Sequence, residues 1–238
     1  MNIFLAGATG VIGRRLVPLL RDAGHVVTGT TRSAERAVAL QALGACAVTL
    51  DVYDARGVLK AMSAAYPDVV IHQLTDLPDK IDPARAAATL EANARLRDEG
   101  TRNLMAAAAV VGVRRAVAQS IAFAYAPKTG TLVETDPLDL DGERAVTARG
   151  VQSLEQQVLG VPGIDGIVLR YGRLYGPGTW FATPTGPGPL HVDASAQAAL
   201  LAVTHGRPGI YNVAEDDGAV SSEKAKRELG FDAGFRLR

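Results

Sequence analysis

The segment Gly7-Ala8-Thr9-Gly10-Val11-Ile12-Gly13 follows directly on the apolar run Ile3–Ala6 and opens a stretch of helical period. A glycine loop at that junction lets bare backbone approach a pyrophosphate, and the helix amino terminus offers unpaired N–H groups and a favourable dipole. The three glycines have separate tasks. Gly7 permits the tight turn, Gly10 leaves room for phosphates, and Gly13 lets the helix pack closely on the strand. A strand, such a loop and a periodic helix in that order predict a dinucleotide site.

The rest of the chain continues the pattern of short apolar runs and helical segments expected of parallel strands joined by crossover helices. Ile12, Leu16, Leu19, Leu20 and Ala23 share one helix face, and Gly24 supplies the stop. His25–Thr31 reads as a strand, Ser33–Leu43 as a helix capped by Ser33, and Ala45–Leu50 as a strand. Asp54–Ala65 is then helical, Asp68–Gln73 extended, Pro83–Val111 one long helix and Val113–Ser120 a fifth strand. Beyond it come a helix at Arg144–Leu159, a strand at Ile164–Arg170 and the loop Gly176–Pro189, which glycine and proline forbid from being helical. A helix at Asp193–Thr204, a strand at Ile210–Val213 and a helix at Ser221–Leu229 close the chain. These elements predict an α/β fold, a Rossmann-type doubly wound parallel sheet over residues 1–170, with a small, reduced carboxyl-terminal substrate lobe over 171–238 interleaved with it.

Composition narrows the function. The 238 residues carry 25 basic and 25 acidic side chains, which leaves no electrostatic footprint for nucleic acid. No apolar run approaches the roughly 18 residues needed to cross a bilayer, and the amino terminus lacks a basic leader, so the expectation is a soluble cytoplasmic protein with a small-molecule substrate. The single cysteine, Cys46, lies in an apolar strand and is expected in the core. No metal site is expected.

The choice of dinucleotide is made at the end of the second strand, where a carboxylate binds the ribose hydroxyls of NAD and an arginine accepts the 2′-phosphate of NADP. The residues there are Thr30-Thr31-Arg32-Ser33, with no carboxylate. Arg32 therefore favours NADP, with NAD as the alternative. Asp51, followed by Val52 at the end of the third strand, is placed to approach the adenine edge.

These segments resemble the short-chain dehydrogenase/reductase superfamily, in its extended branch, the NAD(P)-dependent epimerase/dehydratase family. Besides the glycine loop, the likeness rests on Val69-Val70-Ile71-His72-Gln73-Leu74, on Gly100-Thr101-Arg102-Asn103-Leu104-Met105 and on Leu169-Arg170-Tyr171-Gly172-Arg173-Leu174-Tyr175-Gly176-Pro177-Gly178. His191-Val192-Asp193 and the run Ser221 to Phe231 extend it to most of the chain. The resemblance implies that Gln73 and Leu74 flank the cofactor ribose, that Asn93 supports the active-site backbone and that Ser120 is the serine that hydrogen-bonds the reacting group. It also implies a homodimer through the long helix and the Arg144–Leu159 helix, although monomers occur on the same pattern.

One part of the resemblance fails. The family moves its proton with a tyrosine, whose pKa of about 10 must be lowered by a lysine four residues on. Aligned on Ser153-Leu154-Glu155, the tyrosine position holds Thr147 and the lysine position Val151. Tyr125, with Lys128 near it, is the candidate replacement acid; water, Tyr171, Tyr175 and His191 are others. Two functions follow. One is an atypical NAD(P)-dependent oxidoreductase acting on a small carbonyl or alcohol, with Ser120 and Tyr125 as its catalytic residues. The other is a catalytically silent NAD(P)-binding redox sensor or regulator.

Overall fold

The structure is a computed structural model that describes residues 1–78 and 80–237. Seven parallel strands form one sheet in the order β3-β2-β1-β4-β5-β6-β9. They are β1 (Asn2–Ala6), β2 (Val26–Thr31), β3 (Cys46–Thr49), β4 (Val69–His72), β5 (Arg115–Ile121), β6 (Asp165–Tyr171) and β9 (Gly209–Val213). Between β6 and β9 the chain makes a parallel ribbon of β7 (Arg173–Tyr175) and β8 (Pro189–His191), whose connection is the glycine- and proline-rich loop.

Helices cover both faces of the sheet, so each strand is read from both sides and its apolar residues run nearly without interruption. On one face α1 (Gly13–Asp22), α2 (Ala34–Ala42), α7 (Val192–Leu201) and α8 (Glu223–Leu229) share a core built on Leu5, Leu16, Leu20, Ile71 and Leu169. On the other, α3 (Ala55–Ala65), α5 (Thr101–Val111) and α6 (Ala145–Leu159) bury Phe4, Val58, Met62, Leu104 and Leu154. Strand order reverses between β1 and β4. Ligands of such sheets bind at that switch point, outside the carboxyl ends of the strands.

Two expectations are corrected here. The Pro83–Val111 segment is not one uniform helix: a 3-10 turn (Pro83–Arg85) leads into α4 (Ala86–Arg95), then a π turn (Leu96–Gly100) leads into α5. Cys46 is exposed rather than buried, because β3 is the edge strand of the sheet and pairs only with β2. Ser33 caps α2 by accepting a hydrogen bond from the Arg36 N–H, and Asp54 caps α3 through Gly57. Among the described residues no helix is long and apolar enough to cross a membrane, and no cluster of side chains could hold a metal ion.

Candidate active site

A cleft of about 1170 Å³ lies at the switch point, above the carboxyl ends of β1, β2, β4 and β5. Its floor at the β1–α1 junction is backbone. Gly7 has φ +88°, and a Cβ there would stand 2.6 Å from the Gln73 carbonyl oxygen. A Cβ on Gly13 would stand 2.3 Å from the Gly7 carbonyl oxygen, so α1 can sit this close only with glycine. Gly7, Thr9, Gly10 and Val11 line the cleft, whereas Ala8 and Ile12 are buried behind the loop and shape it. The backbone N–H groups of Val11 and Ile12 take no protein partner among the described residues.

The ends of β2 and β3 supply one end of the cleft: Thr31, Arg32, Ser33, Arg36, Asp51 and Val52. Arg32 is largely solvent-exposed and reaches Asp76 at 3.3 Å. Asp51 accepts a hydrogen bond from the Tyr53 N–H and so shapes its own turn. Past β4, Gln73 and Leu74 line the middle of the cleft. Gln73 donates to the Tyr171 hydroxyl at 3.3 Å, and its buried amide oxygen has no partner among the described residues. Asn93 accepts from the Asp76 N–H at 2.9 Å and donates to the Asp76 carbonyl, which fixes the loop after β4.

Bare glycine backbone, unpartnered N–H groups at a helix start and an orphaned amide oxygen together fit a dinucleotide with its pyrophosphate at Gly7–Val11 and a polar ring substituent or ribose hydroxyl near Gln73.

The two catalytic candidates lie elsewhere. Strand β5 extends one residue beyond the expected end, and alternation then turns Gln119, Ile121 and, after it, Phe123 toward the cleft and Ser120 into the sheet's opposite layer. Ser120 is fully buried and donates to Glu155 Oε1 at 2.8 Å. Glu155 in turn receives a two-point ion pair from Arg170, at 2.8 and 2.6 Å. Tyr125 is also buried: its hydroxyl donates to Asn212 at 2.6 Å and its ring lies under the Arg170 guanidinium. Burial pushes its pKa up, which weakens it as an acid. Neither side chain lines the cleft.

The other replacement groups are similarly engaged. Lys128 pairs with Asp136 at 2.7 Å. Tyr175 donates to Glu215, and His191 packs edge-on against Tyr175. Tyr171 lines the cleft, yet its hydroxyl donates to the Ser195 carbonyl and burial raises its pKa strongly.

Thr147, where the resemblance puts a tyrosine, lines the cleft, while Val151 is wholly buried beside Ile121 and Ala148. The wall around the end of β5 is thus Ile121, Phe123, Thr147 and Tyr171. Its one phenol, Tyr171, already donates its proton to the Ser195 carbonyl.

Two arginines that the sequence reading passed over do reach the cleft. Arg97 projects from the π turn, where burial pushes its pKa down to about 10, so it stays charged at neutral pH. A π turn adds a residue to the helical circuit and rotates the following side chains, and such turns concentrate at functional sites. Arg173 begins β7 and stacks its guanidinium 4.8 Å from the centre of the Phe123 ring. Trp180 and Phe181, from the loop after β7, complete an aromatic wall on that side.

Residues 3–187 match the NAD dependent epimerase/dehydratase family. The chain belongs to this family. Its relatives include a 3-diazoavenalumate denitrifying reductase from a Streptomyces species, 42% identical over 247 aligned positions that cover 94% of this chain and 79% of the relative. Among solved structures, the UDP-glucose 4-epimerase of Thermotoga maritima superposes with a TM-score of 0.82 at 18% identity, covering 100% of this chain and 95% of the epimerase. A double mutant of the dTDP-glucose 4,6-dehydratase of Streptomyces venezuelae, solved with NAD, gives 0.78 at 18% identity, covering 100% and 93%. These two establish the shared fold. The family's strand–glycine loop–helix entry and parallel sheet are intact in this member, whereas Thr147 and Val151 stand where the resemblance calls for tyrosine and lysine.

Proposed function

We propose that this chain is an NADP-dependent reductase that takes a small, carboxylate-bearing arenediazonium ion and replaces its N2 group with hydrogen. The observation that carries the reading is the wall of Ile121, Phe123, Thr147 and Tyr171, an active-site end with a binding cradle beside it whose one phenol already donates to the Ser195 carbonyl. Reduction of a carbonyl leaves an alkoxide that must be protonated, so this wall is poorly suited to the carbonyl or alcohol substrate expected from the sequence. A diazonium carbon has no such requirement. When it gains a hydride, the new C–H bond takes the hydride pair, the C–N bond breaks with its pair leaving as N2, and the charges balance without a proton.

The relative that shares 42% identity is named for a diazo carboxylate and for the removal of its nitrogen, which supports the same chemistry here. Bound in the cleft, the dinucleotide would supply hydride from its nicotinamide. The residues of the chain would do the rest: Gly7, Thr9, Gly10 and Val11 hold the pyrophosphate, Arg32 meets a 2′-phosphate, and Ile121 and Phe123 keep water from the reacting carbon. A silent redox sensor is the second reading, and Thr147 with Val151 is the observation that favours it.

Incubating the protein with NADPH and a carboxylate-bearing arenediazonium separates the two. A reductase consumes NADPH and releases N2 well above the rate without protein; a sensor binds NADPH and leaves both unchanged.

Arg32 carries the preference for NADP. Its ion pair with Asp76 is exposed and therefore weak, so the guanidinium is available to a 2′-phosphate. Arg32→Ala is expected to weaken NADPH binding roughly tenfold and NADH binding little. Equal loss for both in a fluorescence titration would contradict the assignment. We also read the shallow groove of Met105, Ala106 and Ala109 against Gln156, Gly160 and Val161 as a homodimer face. Sedimentation of wild type and Ala106→Glu tests it: a dimer that the charge dissociates agrees, and a wild-type monomer does not.

A further inference from the structure

We propose that Arg173 is a specificity-determining residue that anchors the carboxylate of the substrate; this rests on the reductase reading and names its recognition group. Three other enclosed arginines are paired within the fold. Arg170 is locked to Glu155 at 2.6 Å, Arg15 to Asp193 at 2.7 Å, and Arg115 caps the carbonyls of Ala202, His205 and Gly206. Arg173 differs: its Nε is buried with no hydrogen-bond partner among the described residues, and the side chain lines the cleft.

An enclosed guanidinium N–H left unmatched is costly, and the deficit is met when an anion enters. Stacking on Phe123 fixes the plane of the guanidinium, which leaves its forked edge as the recognition surface. The planar fork matches a carboxylate in two-point geometry. Gly186, at φ +68°, helps set the approach, since a Cβ there would come within 3.3 Å of Arg173 Cδ. The aromatic walls at Phe123 and Trp180 suit a flat unsaturated body attached to that carboxylate.

The test is calorimetric titration of NADP-saturated protein with cinnamate and with cinnamamide, which has the same body and no charge. Wild type should bind cinnamate at least tenfold more tightly than cinnamamide. Arg173→Met should abolish that difference by weakening cinnamate alone, and Arg173→Lys should restore part of it. NADPH affinity, measured on the same variants, should be unchanged and shows that the fold and cradle persist.

Equal binding of the two probes by wild type, including binding of neither, overturns the proposal. So does a loss of NADPH affinity in Arg173→Met that Arg173→Lys recovers, which would assign the guanidinium to the cofactor. Because the readout is binding, a failure here is distinct from a failure of hydride transfer.

Discussion

Ser120 and Ile121 differ by one position and have opposite fates. A strand alternates its side chains between two faces, so a strand end misplaced by one residue exchanges the group that faces the ligand for the group that faces the core. Ser120, expected at the cleft, instead belongs to the buried chain Ser120–Glu155–Arg170, with Tyr125 and Asn212 next to it. Ser120→Ala should therefore lower stability by about 1–2 kcal/mol in chemical denaturation and leave kcat nearly unchanged. A large loss of kcat at unchanged stability would return Ser120 to the active site. Removing the charge of Glu155 should be far worse, since Glu155→Gln leaves Arg170 enclosed without its counter-charge, at a cost of about 3–5 kcal/mol.

His72 gives a pH prediction at the same scale. Its ring is buried, with Nε2 3.1 Å from Thr101 Oγ1 and Nδ1 accepting from the Leu74 N–H, an arrangement that suits the neutral ring. Burial pushes its pKa down from 6.5 to about 4. Between those values the unfolded chain binds the proton and the folded chain resists it, so the stabilisation is complete above pH 6.5 and drains away as pH falls toward 4. Tm of the wild type should drop over that window more steeply than Tm of His72→Gln. Parallel profiles would show that His72 does not supply the dependence.

At the scale of elements, the glycine loop, the alternation of strands and helices and the helix stops were legible, because each follows from local stereochemistry or from an apolar period. Ser33 and Asp54 cap the helices they precede for the same reason. The π turn at Leu96–Gly100 was hidden, since a single widened turn hardly alters an apolar period. That turn brings Arg97 to the cleft. A signal for Arg173 did exist: two residues beyond Tyr171, it shares the face of an extended chain that Tyr171 presents to the cleft. Cys46 was misjudged because an apolar strand text does not say whether the strand is central or at the edge. If Arg97 is a working cation of the site, Arg97→Met should raise the Kd for NADPH or for cinnamate several-fold with little change in Tm. A fall in Tm with both affinities intact would make Arg97 a structural residue only.

For the molecule as a whole, the proposed reading joins a glycine-loop cradle to a site end where Thr147 and Val151 stand at the positions that the resemblance gives to tyrosine and lysine, a combination that makes sense for an electrophile able to accept hydride alone. The sheet places the cradle at its switch point, the ribbon of β7 and β8 presents Arg173 from the other side, and Ile121 and Thr147 close the space between with no acid. Deuterium tracing tests this most directly. With NADPH deuterated at nicotinamide C4 and a carboxylate-bearing arenediazonium, the product is predicted to carry deuterium at the carbon that lost nitrogen, with one N2 released per NADPH consumed. Hydrogen drawn from solvent at that carbon, or consumption no faster than without protein, would contradict the account.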